Sequence, residues 1–218
     1  MAEVSVSILT VDKKNAVHTF YDLETSKINY FHIDVMDGEF VEKNTVDIMK
    51  EYSLSISHIS NIGLDVHLMV ENVEKYIDEY IELNPRIITF HIEATKNKER
   101  TMKNIKYLKE HNIKVGMAIN PDTSIDEIKE YLPYIHMALV MTVVPGKGGQ
   151  SLIPETINKV KVLKEYIDKE NIDIDIEVDG GINSETAEFA KKAGADILVS
   201  GSYIINSDNY NEAVSKLK

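Results

Sequence analysis

The chain of 218 residues contains no cysteine. This absence excludes a disulfide framework, a thiolate metal site and a cysteine nucleophile, and it favours a reducing compartment, so we expect a cytoplasmic protein. Basic residues are also scarce, because 24 Lys and Arg stand against 36 Asp and Glu, for a formal net charge of -12. Affinity for nucleic acid depends on clustered Lys and Arg, so we expect no nucleic-acid partner.

Long hydrophobic runs are missing as well. The longest, residues 137–144, is about half as long as a membrane span requires, so we expect no membrane partner. The N-terminus carries Glu3 and no basic segment, and it does not resemble a secretory signal. No stretch is rich in Pro, Ser or repeated charge, and the length suits one domain of residues 1–218.

Eight short apolar runs alternate with longer, charged, amphipathic segments. The runs are residues 4–9, 30–35, 64–70, 87–92, 115–119, 138–143, 174–178 and 197–200. They are typical of parallel strands that are covered on both faces. The segments predicted as helices include residues 73–83, 98–111, 124–132, 154–170 and 184–192.

Eight βα units in a chain of this length predict a closed (β/α)₈ TIM barrel. The alternative is an open, doubly wound sheet, which usually has five or six strands and a glycine-rich turn after the first. Here the first run is followed by TVDKKN, which contains no glycine. The pattern therefore favours the barrel.

Polar residues lie near the carboxyl ends of several predicted strands, where barrels place their chemistry. The alternating ones are His32, Asp34 and Met36 in FHIDVMDG, His67 and Met69 in DVHLMV, and His91 and Glu93 in TFHIEA. Alternation puts each group on one side of its strand, and the lumen suits polar side chains better than apolar helices do. Asp179 ends IEVD, and Ser7 lies in the first strand.

Taken singly, a strand histidine is more often a hydrogen-bonded core residue, and a strand-end aspartate is more often a turn residue. Together, His32, Asp34, His67 and Asp179 meet at one mouth of the predicted barrel, and burying several ionisable groups is costly unless they pair or bind a cation. We therefore predict a site for one divalent metal cation, Zn, Fe, Mn or Co. Three strand-tip methionines either wall the active site or fill apolar space: Met36, Met69 and Met141.

Three late turns hold six of the ten glycines. They are PGKGGQ (Gly146, Gly148 and Gly149), DGG (Gly180 and Gly181) and SGS (Gly201). Glycine lets backbone N–H groups approach an anion closely, and many barrels bind phosphate after their last strands. The simpler interpretation is tight βα turns, but three adjacent turns favour a phosphate site, to which Ser202 adds a hydroxyl. Lys147 either reaches the phosphate or points into water.

These motifs resemble those of ribulose-phosphate 3-epimerases over nearly the whole chain. The matching segments are SVSIL, FHIDVMDGEFV, DVHLMV, ITFHIEA, KVGMAINPDT, LVMTVVPGKGGQ, IEVDGGI and AGADILVSGS. The resemblance implies a ribulose-phosphate-binding barrel. It implies His32, Asp34, His67 and Asp179 as metal ligands, with Asp34 and Asp179 also as the two acid–base groups. The implied substrate contacts are Ser7, His67, Met36, Met69, Met141, Gly146, Lys147, Gly148, Gly149, Asp179, Gly180, Gly181, Gly201 and Ser202.

The chain departs from the family pattern in three loops. Glu39 replaces a histidine, the proline of that loop is missing, Lys147 replaces an aromatic residue, and SILTVD replaces SILSAD. These departures bear on substrate identity more than on reaction type. A hexulose 6-phosphate epimerase, such as one for D-allulose 6-phosphate, has a closely similar motif set and is the near alternative.

The resemblance implies interconversion of D-ribulose 5-phosphate and D-xylulose 5-phosphate by metal-assisted, two-base proton transfer at C3 through an enediolate. A phosphate-barrel lyase or decarboxylase is disfavoured because no predicted strand end carries the lysine that such enzymes usually need. A non-catalytic phosphosugar-binding barrel is also disfavoured, because binding alone does not require two aspartates and two histidines on opposed strands. We expect a homo-oligomer, either a dimer or a hexamer, because exposed Tyr and Ile side chains are compatible with contacts between copies of the chain.

Overall fold

Eight parallel strands form a closed barrel in the computed structural model, which describes residues 2–218. Residue 1, which the predicted domain includes, lies outside the described residues. The strands are β1 (Glu3–Ser7), β2 (Tyr30–Met36), β3 (Gly63–Met69), β4 (Ile87–His91), β5 (Lys114–Ile119), β6 (Met137–Met141), β7 (Asp175–Asp179) and β8 (Ile197–Ser200). Each strand pairs with the next, and β1 pairs with β8 to close the ring. The predicted TIM barrel is confirmed.

Helices cover the outside of the barrel. They are α1 (Ala16–Thr25), α2 (Val46–Ile59), α3 (Val73–Ile81), α4 (Ile92–Thr95), α5 (Lys98–Glu110), α6 (Pro154–Glu170), α7 (Thr186–Ala193), α8 (Ser202–Ile205) and α9 (Tyr210–Leu217). α6 shows how they attach, because its buried Val160, Leu163 and Ile167 recur every three or four residues and form one apolar face. Each such side chain stabilises the fold by about 1.5–3 kcal/mol when it is fully buried.

The predicted helix at residues 124–132 is wrong. The segment forms two 3₁₀ turns, Ile125–Glu127 and Leu132–Tyr134, and most of its backbone hydrogen bonds run three residues back instead of four. Ser124 provides the expected start signal, because its side chain accepts a hydrogen bond from the second residue of the first turn. Pro133 has no N–H and disfavours the α conformation of the residue before it, so the short segment cannot continue as an α-helix.

The fourth strand also ends earlier than the apolar run. β4 stops at His91, and Ile92 begins α4, so Glu93 lies on a helical turn and not on the strand. The carboxylate of Glu93 accepts hydrogen bonds from the N–H of Asn120 and the hydroxyl of Thr123, which hold this turn against the loop after β5. The other predicted strand bounds agree with the structure to within two residues.

The strand register brings the predicted polar residues together on the lumen side. Asp34 on β2 is paired with His67 on β3, and Met36 is paired with Met69 one step further along. On the other side of the barrel, Met141 on β6 is paired with Asp179 on β7. The alternation of side chains along each strand therefore directs these residues into the upper part of the barrel. Among residues 2–218, every helix is too short or too polar to cross a bilayer.

Candidate functional site

Two histidines and two aspartates converge near the carboxyl end of the barrel. Nε2 of His32 lies 3.6 Å from Oδ1 of Asp34 and 3.6 Å from Oδ2 of Asp179. Nδ1 of His67 lies 3.8 Å from the same oxygen of Asp34 and 3.5 Å from the same oxygen of Asp179. One ligand atom from each of the four residues lies within 4.8 Å of the others. The structure thus brings together all four residues of the predicted metal site.

The two facing histidine nitrogens have no hydrogen-bond partner among residues 2–218. Nε2 of His32 and Nδ1 of His67 belong to fully buried side chains, yet neither makes a hydrogen bond within the described part of the chain. Buried polar nitrogens are rarely left this way, and separations of 3.5–3.8 Å to a carboxylate oxygen are too long for a hydrogen bond. A tetrahedral ion with bonds of about 2.1 Å would space its ligand atoms by about 3.4 Å. The donor set and its spacing therefore fit one divalent cation.

His32 is oriented by a carboxylate below the site. Its Nδ1 lies 2.6 Å from Oδ2 of Asp65, and the same oxygen accepts a 2.7 Å hydrogen bond from the hydroxyl of Ser5. This contact holds a proton on Nδ1 and turns Nε2 towards the cluster. Burial opposes protonation of His32, but the carboxylates of Asp65 and Asp34 raise its pKa well above the ordinary value. A cation at this position therefore competes with a proton for Nε2.

A second acid, Glu177, lies beside Asp65 in the barrel interior. Its side chain is fully buried, and both carboxyl oxygens lack a hydrogen-bond partner among the residues that the structure describes. Burial and the neighbouring carboxylate of Asp65 raise the pKa of Glu177 well above its usual range. Burial also works against ionisation of Asp65, but His32 lowers the pKa of that carboxyl. The two acids therefore differ, with Asp65 ionised beside His32 and Glu177 neutral.

Asp34 presents one oxygen to the cluster and the other to β1. Its Oδ2 accepts a 2.6 Å hydrogen bond from the hydroxyl of Ser7, and its Oδ1 faces the histidines. Burial disfavours the charged form of Asp34, but His32 and His67 hold its pKa well below the usual range. Asp34 is therefore a carboxylate with a fixed orientation.

His67 is in contact with a third buried histidine. Its Nε2 lies 2.9 Å from Nε2 of His91, and Nδ1 of His91 lies 3.2 Å from Oε2 of Glu93. Burial opposes ionisation of Glu93, but hydrogen bonds from His91, Thr123 and the Asn120 backbone lower the pKa of Glu93 to about 2. Burial lowers the pKa of His91, which favours its neutral form.

A cavity of about 790 Å³ opens above the four-residue cluster. Asp34 and Asp179 reach it, whereas the ring atoms of His32 and His67 lie beneath it and are fully covered. The other predicted contact residues all line it: Ser7, Met36, Met69, Met141, Gly146, Lys147, Gly148, Gly149, Gly180, Gly181, Gly201 and Ser202. The three methionines form a buried apolar wall without strong hydrogen-bonding groups.

The turn after β7 requires glycine at two successive positions. Gly180 has φ +121°, and a Cβ there would lie 2.3 Å from a methyl carbon of Val143. Gly181 has φ +67°, and a Cβ there would lie 2.3 Å from the backbone nitrogen of Leu152. Both the backbone conformation and the lack of space exclude a side chain. The turn therefore brings bare backbone to the edge of the cavity.

The loop after β6 carries Lys147, one of the residues that depart from the resembled motif pattern. The side-chain amide of Gln150 donates hydrogen bonds of 2.7 Å to the carbonyl of Val144 and 2.8 Å to the carbonyl of Lys147, which close the loop on itself. Among the residues of 2–218 that line the cavity, Lys147 is the one cationic side chain. Glu39, another of these departures, is exposed on the loop after β2.

Sequence reasoning did not find the residues below the cluster of His32, Asp34, His67 and Asp179. Ser5, Asp65 and Glu177 form that lower layer. Asp65 shares a strand side with His67, and Glu177 shares one with Asp179, so the alternation that revealed the ligands was a signal for these acids too.

The chain is similar in sequence to known proteins over most of its length. A model of the "Ribulose-phosphate 3 epimerase family" matches residues 3–205. A ribulose-phosphate 3-epimerase from Methanocaldococcus jannaschii is 38% identical over 218 residues, which are 100% of this chain and 90% of that protein. One from Bacillus subtilis is 36% identical over 220 residues, covering 100% of this chain and 99% of that protein.

The chain belongs to the ribulose-phosphate 3-epimerase family. Membership supports an epimerase, an isomerase acting on a phosphorylated sugar. The barrel itself is more widely shared, because a 3-hexulose-6-phosphate synthase from Salmonella typhimurium superposes with a TM-score of 0.71 at 15% identity, covering 99% of this chain and 96% of the other. That similarity shows the fold alone.

Proposed function

We propose that this family member interconverts D-ribulose 5-phosphate and D-xylulose 5-phosphate by moving a proton at C3. The observation that carries the proposal is the placement of Asp34 and Asp179. They lie on β2 and β7, reach the same cavity, and face the same pair of unpartnered histidine nitrogens. Inversion at carbon needs two proton-transfer groups on opposite faces, because one group alone returns the proton to its original side.

The two aspartates divide the proton transfers. Asp34, ionised and held by Ser7, takes the C3 proton. The C3–H electron pair forms a C2–C3 double bond, and the π pair of the C2 carbonyl moves onto its oxygen to give an enediolate. Asp179 gives a proton to the opposite face of C3, which completes the inversion. In the reverse reaction the two residues exchange roles.

His32 and His67 with Asp34 and Asp179 would hold one divalent cation, Zn, Fe, Mn or Co. When bound, the cation supplies positive charge that stabilises the negative charge of the enediolate. The methionine wall keeps water out of the same space, so that a side chain and not solvent protonates the enediolate.

The phosphate would bind across the cavity, at the glycine turns after β6, β7 and β8. Gly181, Gly201 and Ser202 line that side, and backbone amides at such turns suit a phosphate. We assign Lys147 to the same group as a movable cationic contact. The net charge of -12 then does not prevent binding of an anionic substrate, because recognition is local.

The test is a side-by-side kinetic comparison of D-ribulose 5-phosphate and D-allulose 6-phosphate with a saturating divalent metal. A higher kcat/KM for the pentulose phosphate is expected. The changes at Glu39 and Lys147 make the hexulose phosphate the rival substrate, and a tenfold or greater preference for it would overturn the assignment. Binding of both sugars with turnover of neither would indicate a non-catalytic phosphosugar-binding barrel.

A further inference from the structure

We propose that Glu93 and His91 are positioning residues that decide which nitrogen of His67 is free to bind the metal. This inference rests on the metal site of the proposed function. It concerns a chain of three side chains, Glu93, His91 and His67, which runs from the loop after β5 to the metal cluster.

Hydrogen-bond donors from the loop after β5 fix Glu93, which is the end of this series of side chains farthest from the metal site. Oε1 of Glu93 accepts hydrogen bonds from the backbone N–H of Asn120 at 2.8 Å and from the hydroxyl of Thr123 at 2.5 Å. Nζ of Lys159 donates to the carbonyls of Asn120, Pro121 and Thr123 at 2.6–2.8 Å and so holds the same loop. Glu93 is therefore a fixed acceptor whose second oxygen, Oε2, faces Nδ1 of His91 at 3.2 Å.

The orientation of each ring then follows from its neighbour. A carboxylate can only accept hydrogen bonds, so Nδ1 of His91 carries the ring proton. Nε2 of His91 is then unprotonated and presents its lone pair. That lone pair lies 2.9 Å from Nε2 of His67, which must donate. The planes of the two rings are 20° apart and their centroids are 5.0 Å apart, so the rings are nearly parallel, and the 2.9 Å contact joins their Nε2 atoms.

The consequence falls on the other nitrogen of His67. With the proton on Nε2, Nδ1 of His67 is unprotonated and can donate its lone pair to a metal. Among residues 2–218 this buried atom has no hydrogen-bond partner, and it faces Asp34 and Asp179. His32 receives the same orientation directly from Asp65. His67 has no carboxylate against its outer nitrogen and receives the orientation through His91.

The decisive variant is Glu93→Gln, because both oxygens of Glu93 are acceptors and glutamine has one. If its oxygen stays with the Asn120 N–H, its NH₂ group faces Nδ1 of His91. The protons of both rings then shift, and Nδ1 of His67 becomes protonated and unable to bind metal. The matched control is Thr123→Val, which removes a donor from the loop side of Glu93 and leaves its contact with His91 intact.

The experiment measures zinc affinity by competition with a chelator, together with the His91 tautomer by ¹⁵N NMR of the zinc-loaded protein. We expect Glu93→Gln to weaken zinc binding roughly 10-fold to 100-fold, Thr123→Val to change it less than about threefold, and Glu93→Asp to restore part of the loss. Wild-type His91 should carry its proton on Nδ1.

Each remaining outcome contradicts a defined part of the account. Zinc binding that is equal in Glu93→Gln and wild type, an equal loss in Thr123→Val, or a wild-type His91 protonated on Nε2 overturns the positioning role and leaves the metal site standing. Failure of the wild-type protein to bind zinc, iron, manganese or cobalt overturns the metal site and this inference with it.

Discussion

The hydroxyl of Ser7 donates a 2.6 Å hydrogen bond to Oδ2 of Asp34, so a residue of β1 fixes the carboxylate that is proposed to take the C3 proton. Both side chains are almost fully buried, which keeps water from replacing the contact. The rest of the proposed chemistry depends on this orientation, because only the other oxygen of Asp34 faces the cluster.

Ser7→Ala is expected to lower kcat/KM about 10-fold to 100-fold. A hydrogen bond to a charged group contributes about 1.5–3 kcal/mol, and its loss leaves an acceptor of Asp34 unpaired. Steady-state kinetics measure the effect, circular dichroism checks the fold, and Ser184→Ala at an exposed position is the control. Activity within twofold of wild type would show that Ser7 does not support Asp34.

Lys147→Met is expected to raise KM for the phosphorylated substrate by roughly threefold to tenfold with little change in kcat. The methionine keeps the length of the side chain and removes its charge, and an exposed charge contributes modestly and is screened by salt. The difference from wild type should therefore shrink at high ionic strength. Lys106→Met, at an exposed position of α5, is the matched control. An unchanged KM in Lys147→Met would show that Lys147 points into solvent and does not contact the phosphate.

Glu74→Gln should make the stability of the barrel depend less on pH. Glu74 and Arg100 form a two-pronged ion pair with N–O distances of 2.7 Å for both contacts. Hydrogen bonds from Arg100 lower the pKa of Glu74 to about 2, against the opposing effect of burial. In the unfolded chain the pKa of a glutamate is about 4.3. The pair therefore stabilises the fold above about pH 4.3 and loses its effect as the pH falls towards about 2.

The expected cost of Glu74→Gln at pH 7 is about 1 kcal/mol, since about a third of each side chain is exposed and solvent screens the pair. Urea denaturation at several pH values measures it, and the difference from wild type should vanish near pH 2. Glu165→Gln, which removes an exposed pair at 3.9 Å, is the control. A difference independent of pH would contradict the ion-pair explanation.

The sequence predicted the barrel and the upper half of the site because both depend on strand periodicity. His32, Asp34, His67 and Asp179 alternate with apolar residues on short strands, and a closed barrel places such residues in one lumen. The lower layer was missed because Asp65 looks like an ordinary polar residue near the start of a strand, and its role is visible only from its contact with His32 on the neighbouring strand β2.

The helix predicted at residues 124–132 failed for a local reason. Its start signal at Ser124 is real, but Pro133 prevents continuation as an α-helix. The loop just before this segment, residues 120–123, holds Glu93 through Asn120 and Thr123. A periodicity pattern cannot show such a contact, because it joins two loops on adjacent βα units.

The most direct test of the two-base proposal is turnover of D-ribulose 5-phosphate in D₂O by metal-saturated wild type, Asp34→Asn and Asp179→Asn, with Asp47→Asn at an exposed position of α2 as the control. Wild type and control should form D-xylulose 5-phosphate with deuterium at C3. Each asparagine variant should lose epimerisation by about 100-fold to 10,000-fold while its far-ultraviolet circular dichroism stays that of a folded barrel. Epimerisation above about a tenth of the wild-type rate in either variant would contradict the two-aspartate account.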